Sequence, residues 1–550
     1  MHFTHIWDKI LASLTVEVTR LLITLIVLIP ILVGLSILWY KGPYPPWMSF
    51  IGLLLGLIPI GYGSLHTGDI SLTILPLFGS EWQFHEYTLI AAFFFTIVGA
   101  TISLFITKYL NKAQIFSFCL ALSSALGITM AKGYLSLFLF WEMLTLSTAL
   151  IIFLDNHPDK KVGKLFLITH LLGGLALLFG IMLHYNSTGS LALIPPVTGQ
   201  IWFLLGIGLK VGFVPLHFWI PATYAAINPV ATVALSIFTT KAGILVLAKL
   251  FAGLDILIVM GTIMIYYGIL LSLRSQQLRG ILSYQHISQL GFMVVSIGAG
   301  GALGVNGAFL HMTNHMVYKS LLFMATAILL IQTNNDTPGT QKARPNLLLG
   351  LALVGTLAIV GMPPFNGFVS KAVIKYAVPN STLQVLLTIA AIGTTLSLAR
   401  FLYYGFWAKE SKVTPGRMIV TPSATLSMLL LAGMTIVLGA TPTFLDWLTP
   451  YSFESIYSLS SIWQALLPIG IGILLFLIFH PRFQPITNQG APGFFGRYIH
   501  HGERFISKGI TGIHQYEKYT SQLNKAQYVL LVCLMLFLLT WLVFNLDSPL

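Results

Sequence analysis

Long apolar runs, separated by short polar segments, follow one another along almost the whole chain. A helix needs about 20 apolar residues to cross a bilayer, and reading the sequence with that window gives sixteen candidate transmembrane helices. Because the fourth candidate is short and residues 70–80 could be a re-entrant or interfacial piece, the predicted number is fourteen to sixteen. The candidates are residues 21–40, 47–65, 87–107, 114–130, 133–154, 164–185, 200–220, 229–250, 255–273, 280–299, 303–332, 347–377, 383–408, 422–441, 461–480 and 527–546.

The composition agrees with an all-α polytopic membrane protein. Of the 550 residues, 56% are hydrophobic and only 8% are charged, whereas soluble domains carry about 25% charged residues. A net charge of +13 would suggest nucleic-acid binding in a soluble protein. Here the basic residues lie mostly in short loops, so we expect a lipid bilayer as partner and no nucleic acid.

The distribution of charge predicts the orientation. Most lysines and arginines fall in loops after odd-numbered candidates, as Lys160 and Lys161 do, while Glu81 and Glu86 follow an even-numbered one. Cytoplasmic loops are enriched in Lys and Arg. The N-terminus is therefore expected outside the membrane, and an even helix number would also place Leu550 outside.

One long polar segment, residues 481–527, interrupts the apolar pattern near the end of the chain. Its basic residues run from Arg482 to Lys525, and apolar residues within 496–523 recur at near-helical spacing. That spacing is typical of an amphipathic helix lying in the membrane interface. A solvated loop anchored by charge and a docking surface for a cytoplasmic partner both remain open.

The two cysteines, Cys119 and Cys533, lie in separate apolar runs. They can form neither a disulfide framework nor a CxxC set for a metal or iron–sulfur cluster. No cofactor is expected, and any associated redox chemistry would belong to another subunit.

Two lysines lie in apolar surroundings beside prolines. Lys210 precedes Pro215 and Pro221, and Lys371 follows the Pro363-Pro364 pair. A charge near the bilayer centre costs from ~3 to more than ~10 kcal/mol and marks paths for ions or protons. Proline removes a backbone donor, so each segment is expected to be a broken helix with polar groups facing a hydrated cavity.

Glu142 is the charged residue of another apolar candidate helix. A carboxylate in lipid either takes up a proton or finds a cation, and we interpret Glu142 as the partner of Lys210. A neutral Glu142 bonded to a neighbouring helix remains an alternative, as does snorkelling of Lys210 to the interface.

Further titratable residues follow at helical spacing. Lys241 lies mid-way along its candidate helix and is interpreted as the next proton site, whereas Lys249 near the end is an expected interfacial anchor. His311, His315 and Lys319 are each four residues apart and share one helix face. Zinc is disfavoured because there is no HExxH glutamate or obvious third ligand, and a proton relay is favoured.

Taken together, these motifs resemble the proton-pumping antiporter-like subunits of complex I, Mrp cation/proton antiporters and membrane-bound hydrogenases. The resemblance covers about residues 90–410. The segments 281–293 and 306–324 look most like the D-type subunit of Mrp antiporters, whereas the end of the chain, residues 481–550, departs from that subunit. The residues that carry it are Trp141-Glu142, Lys210 before Pro-Leu-His-Phe-Trp, Thr240-Lys241-Ala-Gly, His311-x3-His315-x3-Lys319 and Pro363-Pro-x-x-Gly-Phe-x-Ser-Lys371.

The resemblance implies two inverted five-helix repeats, about 114–250 and 255–408, each with one discontinuous helix. Lys210 and Lys371 would then occupy matching positions, and Lys371 has no acidic partner in its own segment, which leaves water or a neighbouring subunit. The implied divisions are N-terminal helices in 1–110, repeats in 111–252 and 253–410, C-terminal helices in 411–480, a cytoplasmic segment in 481–526 and a final helix in 527–550.

The function implied is proton translocation through Glu142, Lys210, Lys241, the His311–His315–Lys319 face and Lys371. The chain would work beside other membrane subunits in a prokaryotic cytoplasmic membrane, exchanging protons for Na⁺ or K⁺. Two alternatives stay open: a pumping subunit of a redox complex, and a proton-coupled subunit of an inorganic-carbon uptake complex.

Overall fold

Two compact units, Met1–Pro485 and Ile486–Leu550, make up the chain. The computed structural model describes part of the first unit. The predicted final helix 527–546 and the polar segment 481–527 lie outside the described residues, which are 21–22, 24–65, 72–73, 81–82, 86–155, 160–333, 347–378, 381–407, 420–441 and 454–480.

Helices form nearly all of the described structure. A pair of two-residue antiparallel strands, β1 (Leu72–Thr73) and β2 (Glu81–Trp82), lies between the third and fourth helices. The helices are α1 (Thr24–Trp39), α2 (Pro46–Leu54), α3 (Leu57–Leu65), α4 (Glu86–Ile106), α5 (Lys112–Met130), α6 (Tyr134–Phe153), α7 (Lys160–Thr188), α8 (Gln200–Val211), α9 (Trp219–Ala226), α10 (Pro229–Phe251), α11 (Ile256–Arg274), α12 (Leu278–Ala299), α13 (Gly301–Thr333), α14 (Leu347–Val360), α15 (Asn366–Ala377), α16 (Ser381–Leu402), α17 (Pro422–Ala440) and α18 (Leu459–Phe479).

The predicted transmembrane helices, except the last, coincide with these helices. Twelve spans within the described residues are long and apolar enough to cross a membrane. Helices suit this setting because lipid offers no partner for a free backbone N–H or C=O. Helix α12 has 22 residues and is more polar, with Gln285, His286 and Gln289 all buried. The chain is therefore a multi-pass membrane protein, and its described residues are helical apart from the β1–β2 pair and the connecting turns.

Two five-helix repeats follow each other, α5 to α10 and α11 to α16, with α8–α9 and α14–α15 each counted as one broken helix. The same neighbours pack in both: α5 on α6, α7 on α8 and α10 on α5 correspond to α11 on α12, α13 on α14 and α16 on α11. Five crossings end on the opposite side of the membrane from where they began. The second repeat is therefore inverted relative to the first, which confirms the predicted architecture.

Both broken helices begin their break at a glycine. Gly212 ends α8 with φ of 86° and Gly361 follows α14 with φ of 87°, a left-handed conformation that residues with a Cβ avoid. Pro221, which was expected to help break the helix, lies in the first turn of α9, where a missing N–H does no harm. The break before it spans Gly212 to Pro215.

A basic side chain from the last helix of each repeat caps the first helix of that repeat. Lys249 Nζ donates to the Thr129 carbonyl near the end of α5 at 2.8 Å. Arg400 Nη1 donates to the carbonyls of Ser272 and Leu273 near the end of α11, at 3.2 and 2.6 Å. Helix ends leave carbonyls without intrahelical partners, so these contacts join the two ends of each repeat. Lys249, predicted as an interfacial anchor, thus also caps a helix.

We expect Arg400→Ala to lower the stability of the second repeat. Arg400 is 5% exposed, and hydrogen bonds to a charged donor contribute about 1.5 to 3 kcal/mol each. The apparent melting temperature of the purified protein in detergent measures the effect. Lys249→Ala is the matched control, since that side chain is exposed and makes one such bond; an equal or larger loss in the control would contradict the assignment.

Candidate functional site

Lys210 is buried in the last turn of α8, with 1% of its surface exposed. Its Nζ donates to the Trp141 carbonyl at 3.1 Å and to Thr145 Oγ1 at 3.0 Å, and it lies 4.4 Å from the centre of the Trp141 ring. A cation is also favoured at the C-terminal end of a helix by the aligned peptide dipoles. Lys210 is therefore held inside the protein and does not snorkel to the interface.

Glu142 lies on α6 between the two residues that bind Lys210. It is 4% exposed, and within the described part of the chain its Oε1 has no hydrogen-bond partner. That oxygen faces α7, because a Cβ added at Gly174 would lie 1.9 Å from it. The charges of Glu142 and Lys210 interact electrostatically, but the hydrogen bonds of Lys210 go to the residues on either side of Glu142.

Lys371 lies on α15, just after the second break. Its Nζ donates to the Ile359 carbonyl at 2.7 Å and, more weakly, to the Val360 carbonyl at 3.4 Å. These are the last carbonyls of α14, left free where that helix stops. The sequence suggested water or a neighbouring subunit as the partner of Lys371; the structure gives it the open end of its own broken helix.

The two lysines do not occupy matching positions. Val211-Gly212 and Val360-Gly361 stand at the same point of the two breaks, so Lys210 corresponds to Ile359. Lys371 belongs to the second half of its broken helix, and the prediction of matching positions is wrong. Lys371 nevertheless reaches the Ile359 carbonyl, so each repeat has one ammonium group bound at the end of its first half-helix.

Lys241 is fully buried near the middle of α10. Its Nζ donates to the Ser236 carbonyl at 2.5 Å. The preceding residue, Thr240, shares a hydrogen bond of 3.1 Å with Nε2 of His286 on α12. Lys241 thus lies where the last helix of the first repeat meets the second repeat.

The face formed by His311, His315 and Lys319 is buried along α13. Lys319 Nζ donates to the Leu282 carbonyl at 2.6 Å. The two ring nitrogens of His311 pair with Ser370 Oγ at 2.9 Å and Gln289 Oε1 at 3.2 Å, so this ring is engaged with protein groups on both sides.

His315 lies between these groups. Its ring centre is 4.9 Å from that of His286 and 6.4 Å from that of His311, and neither of its nitrogens has a hydrogen-bond partner within the described residues. Since His311 pairs with Ser370, the neighbour of Lys371 in sequence, the histidines lead from α10 towards α15.

The residues of this arrangement lie in a part of the chain that matches a known protein family. Residues 131–397 match the family model described as "NADH:quinone oxidoreductase/Mrp antiporter, TM". This range runs from α6 to most of α16, without α5 of the first repeat, and it contains all seven predicted site residues. We refer to residues 131–397, which match this family model, as the antiporter-like domain.

Relatives of the antiporter-like domain include the antiporter subunit mnhA2 of Staphylococcus aureus. The protein of strain JH9 is 28% identical over 369 residues, which cover 57% of this chain and 46% of the relative; that of strain MRSA252 is 29% identical over the same length. This chain therefore spans less than half of these curated relatives. The closer resemblance to the D-type subunit of Mrp antiporters stays a prediction.

Solved structures share the fold of the antiporter-like domain and its flanking helices. A chain of the Mrp complex from Dietzia sp. DQ12-45-1b superposes with a TM-score of 0.70 and 17% identity, covering 82% of this chain and 99% of that one. A chain of the membrane-bound sulfane sulfur reductase, an archaeal respiratory membrane complex, gives 0.68 and 22%, covering 84% and 99%.

The structure adds residues to the candidate functional site that the sequence did not indicate. Thr145 accepts from Lys210, and Thr148, one turn on, is 3.4 Å from Thr239 of α10, measured between the hydroxyl oxygens. His286 then joins Thr240 to His315. Two sequence signals could have pointed to these residues. One is the pair of threonines three residues apart on an apolar helix, and the other is a histidine between two glutamines.

A cavity borders Lys371 at the edge of the antiporter-like domain, between α15, α16 and α18. Pro468 in the middle of α18 lines it together with the half-buried Lys375. The cavity gives the second lysine a more open surrounding than Lys210 has. Its other polar lining residues are Tyr376, Thr388, Ser461 and Gln464.

Proposed function

We propose that this chain is the proton-translocating membrane subunit of a multisubunit Na⁺ or K⁺/proton antiporter. The observation that supports it is a row of ionisable and hydroxyl side chains, all buried except the half-buried Lys371, that passes from α6 to α15 through both repeats. Buried charges inside membrane helices are costly and mark ion or proton paths. The row runs from Glu142 and Lys210 through Thr145, Thr148, Thr239, Thr240, Lys241, His286, Lys319, His315 and His311 to Ser370 and Lys371.

The driving chemistry proposed is electrostatic. Lys210 can be bound by the α6 acceptors Trp141 and Thr145, or it can move to Glu142, whose Oε1 is otherwise unbonded among the described residues. Exchanging one hydrogen bond to a charged group involves about 1.5 to 3 kcal/mol. Moving one charge across the membrane involves ~2.3 kcal/mol per 100 mV. Because these energies are similar, a small movement of Lys210 suffices to pass a proton along the row.

The remaining features of the proposal follow from the charge distribution and from the relatives. The chain would sit in a prokaryotic cytoplasmic membrane with its N-terminus outside and would bind other membrane subunits, since its relatives are named as subunits of an antiporter. Residues 482–525 would face the cytoplasm and could dock a soluble partner.

A second candidate function is a pumping subunit of a redox complex. The observation in its favour is the likeness in fold to a chain of an archaeal respiratory membrane complex. The same row of side chains would then carry protons driven by electron transfer in partner chains. Neighbouring genes that encode iron–sulfur or nickel subunits would favour this function.

The test measures cation-dependent proton transport in membrane vesicles from cells that express the whole gene cluster. For the antiporter we expect addition of Na⁺ or K⁺ to dissipate an imposed pH gradient in everted membrane vesicles. Vesicles lacking only this chain are the control. If neither cation changes the gradient while the complex is assembled in the membrane, the antiporter proposal fails and the redox alternative gains.

A further inference from the structure

We propose that His170 on α7 is a further proton-transfer residue, which supplies the proton to Lys210 before that proton enters the rest of the row described above. This inference rests on the proposed function, because it assigns a role in the same translocation path. No motif in the sequence pointed to His170, and its place follows from three observations.

The first observation is its hydrogen bonding. His170 is 1% exposed, and its Nδ1 lies 2.9 Å from the Phe166 carbonyl oxygen. A carbonyl oxygen only accepts, so Nδ1 carries the hydrogen and, in the neutral ring, Nε2 holds the free electron pair. Within the described residues Nε2 has no hydrogen-bond partner. A buried imidazole is thus fixed in the tautomer that leaves a basic nitrogen available.

The second observation is its position beside Lys210. The His170 ring lies 4.5 Å from the ring of Trp219, and Trp219 Nε1 donates to the Leu209 carbonyl at 2.8 Å, next to Lys210. One turn further along, α7 and α8 are in backbone contact, because a Cβ on Gly206 would lie 2.6 Å from the Gly173 carbonyl. The charges of His170 and Lys210 also interact electrostatically.

The third observation is the repeat. A Cβ on Gly355 of α14 would meet Leu322 of α13 at 2.9 Å, which corresponds to the contact of Gly206 with Gly173. The same number of residues along the sequence separates Gly206 from Gly355, Gly173 from Leu322 and Gly212 from Gly361. In this register His170 corresponds to Lys319. The second repeat therefore has a protonatable side chain at the same place.

The proposed step is a proton transfer without any change in electrons. Nε2 takes up a proton from the end of α7 that begins at Lys160, the side predicted to be cytoplasmic. The N–H bond at Nε2 then breaks and an N–H bond forms at a neutral Lys210 Nζ. At 1.5 Å per residue, His170 lies about 15 Å along α7, near the middle of a hydrocarbon core of about 30 Å. Lys210 would thus be loaded from His170 and discharged towards α10.

The test compares two variants of His170 in vesicles containing the whole complex. His170→Asn keeps a donor for the Phe166 carbonyl, and His170→Phe keeps the stacking on Phe166 and the edge-on contact with Trp219. We expect both to slow cation-dependent proton transport about tenfold or more, since a positioned acid–base group contributes 10²–10⁴-fold. We also expect a larger solvent deuterium isotope effect on the transport rate, because proton delivery becomes limiting.

His184→Asn is the matched control. This histidine is also buried on α7, but its Nδ1 accepts from the Val197 backbone N–H at 3.2 Å, so we expect transport within about twofold of the unmodified complex. A His170→Phe complex with a normal rate would overturn the inference, and so would a slow complex with an unchanged isotope effect. Normal transport by Lys210→Ala would instead refute the proposed function itself.

Discussion

Transport should be abolished by Lys210→Ala, with a loss of at least about a hundredfold, while the chain still inserts and assembles. The variant removes the ammonium group that bridges the Trp141 carbonyl and Thr145 Oγ1. The Thr145 hydroxyl can turn to the Trp141 carbonyl, because Thr145 Oγ1 lies 3.1 Å from that oxygen, and Glu142, left without the cation, can take up a proton. The cost to folding is therefore small compared with the cost to transport. The measurement is the Na⁺- or K⁺-dependent loss of a pH gradient, normalised to the amount of complex.

Glu142 is the second half of this prediction. Glu142→Gln keeps the side-chain volume against Gly174 but removes the charge, so it separates packing from electrostatics better than alanine does. We expect Glu142→Gln and Glu142→Ala both to abolish transport. Lys249→Ala is the control for the loss of a basic side chain outside the row, and its transport should be close to normal. If the Lys210 and Glu142 variants all retained transport, the ion-pair role would be refuted.

Helix positions could be predicted from the sequence because lipid imposes a simple requirement. Each span must satisfy its own backbone, which demands about 20 apolar residues in a row, and the candidates therefore coincide with the described helices. The expensive residues within those spans, such as Lys210 and Lys241, could be found by the same logic. Their charge stands out against apolar neighbours whatever the tertiary structure is.

Partners of those residues were much harder to predict. Lys371 binds the Ile359 and Val360 carbonyls, and every residue has a carbonyl, so no sequence signal identifies the free ones. They become free because Gly361 adopts a left-handed conformation. Likewise, the pairing of Thr240 with His286 depends on α10 packing against α12. Chemistry between side chains of different helices is fixed by the packing, and the sequence shows only which residues can take part.

The inverted repeat would explain why two lysines at different sequence positions serve the one path that we propose. Each repeat breaks its fourth helix at a glycine, and each break exposes a carbonyl end inside the membrane. In the first repeat Lys210 lies in the last turn of α8, before the break. In the second repeat Lys371 lies on α15, after the break, and its side chain binds the end of α14. The first lysine is enclosed between α6 and α8, whereas the second borders a cavity. This asymmetry suits a path that loads at one end and releases at the other.

We therefore expect Lys371→Ala to abolish transport and Lys375→Ala to reduce it by no more than a fewfold. Both side chains line the same cavity and lie one helical turn apart on α15. Lys371 caps the open end of α14 and interacts electrostatically with His311, the end of the histidine row. Both lysine side chains are half-buried, and the charge of Lys375 can be hydrated in the cavity. Transport rates in vesicles, with assembly checked by immunoblot, distinguish the two.

Lys371→Arg sharpens this prediction. Arginine keeps a positive charge and can donate to the Ile359 carbonyl, but it does not release its proton in proteins. If Lys371 only holds the broken helix together, Lys371→Arg should transport normally. If Lys371 carries the proton, Lys371→Arg should be as inactive as Lys371→Ala while its melting temperature stays closer to that of the unmodified complex. Equal sensitivity of Lys375→Ala would show that the proton leaves through Lys375 instead.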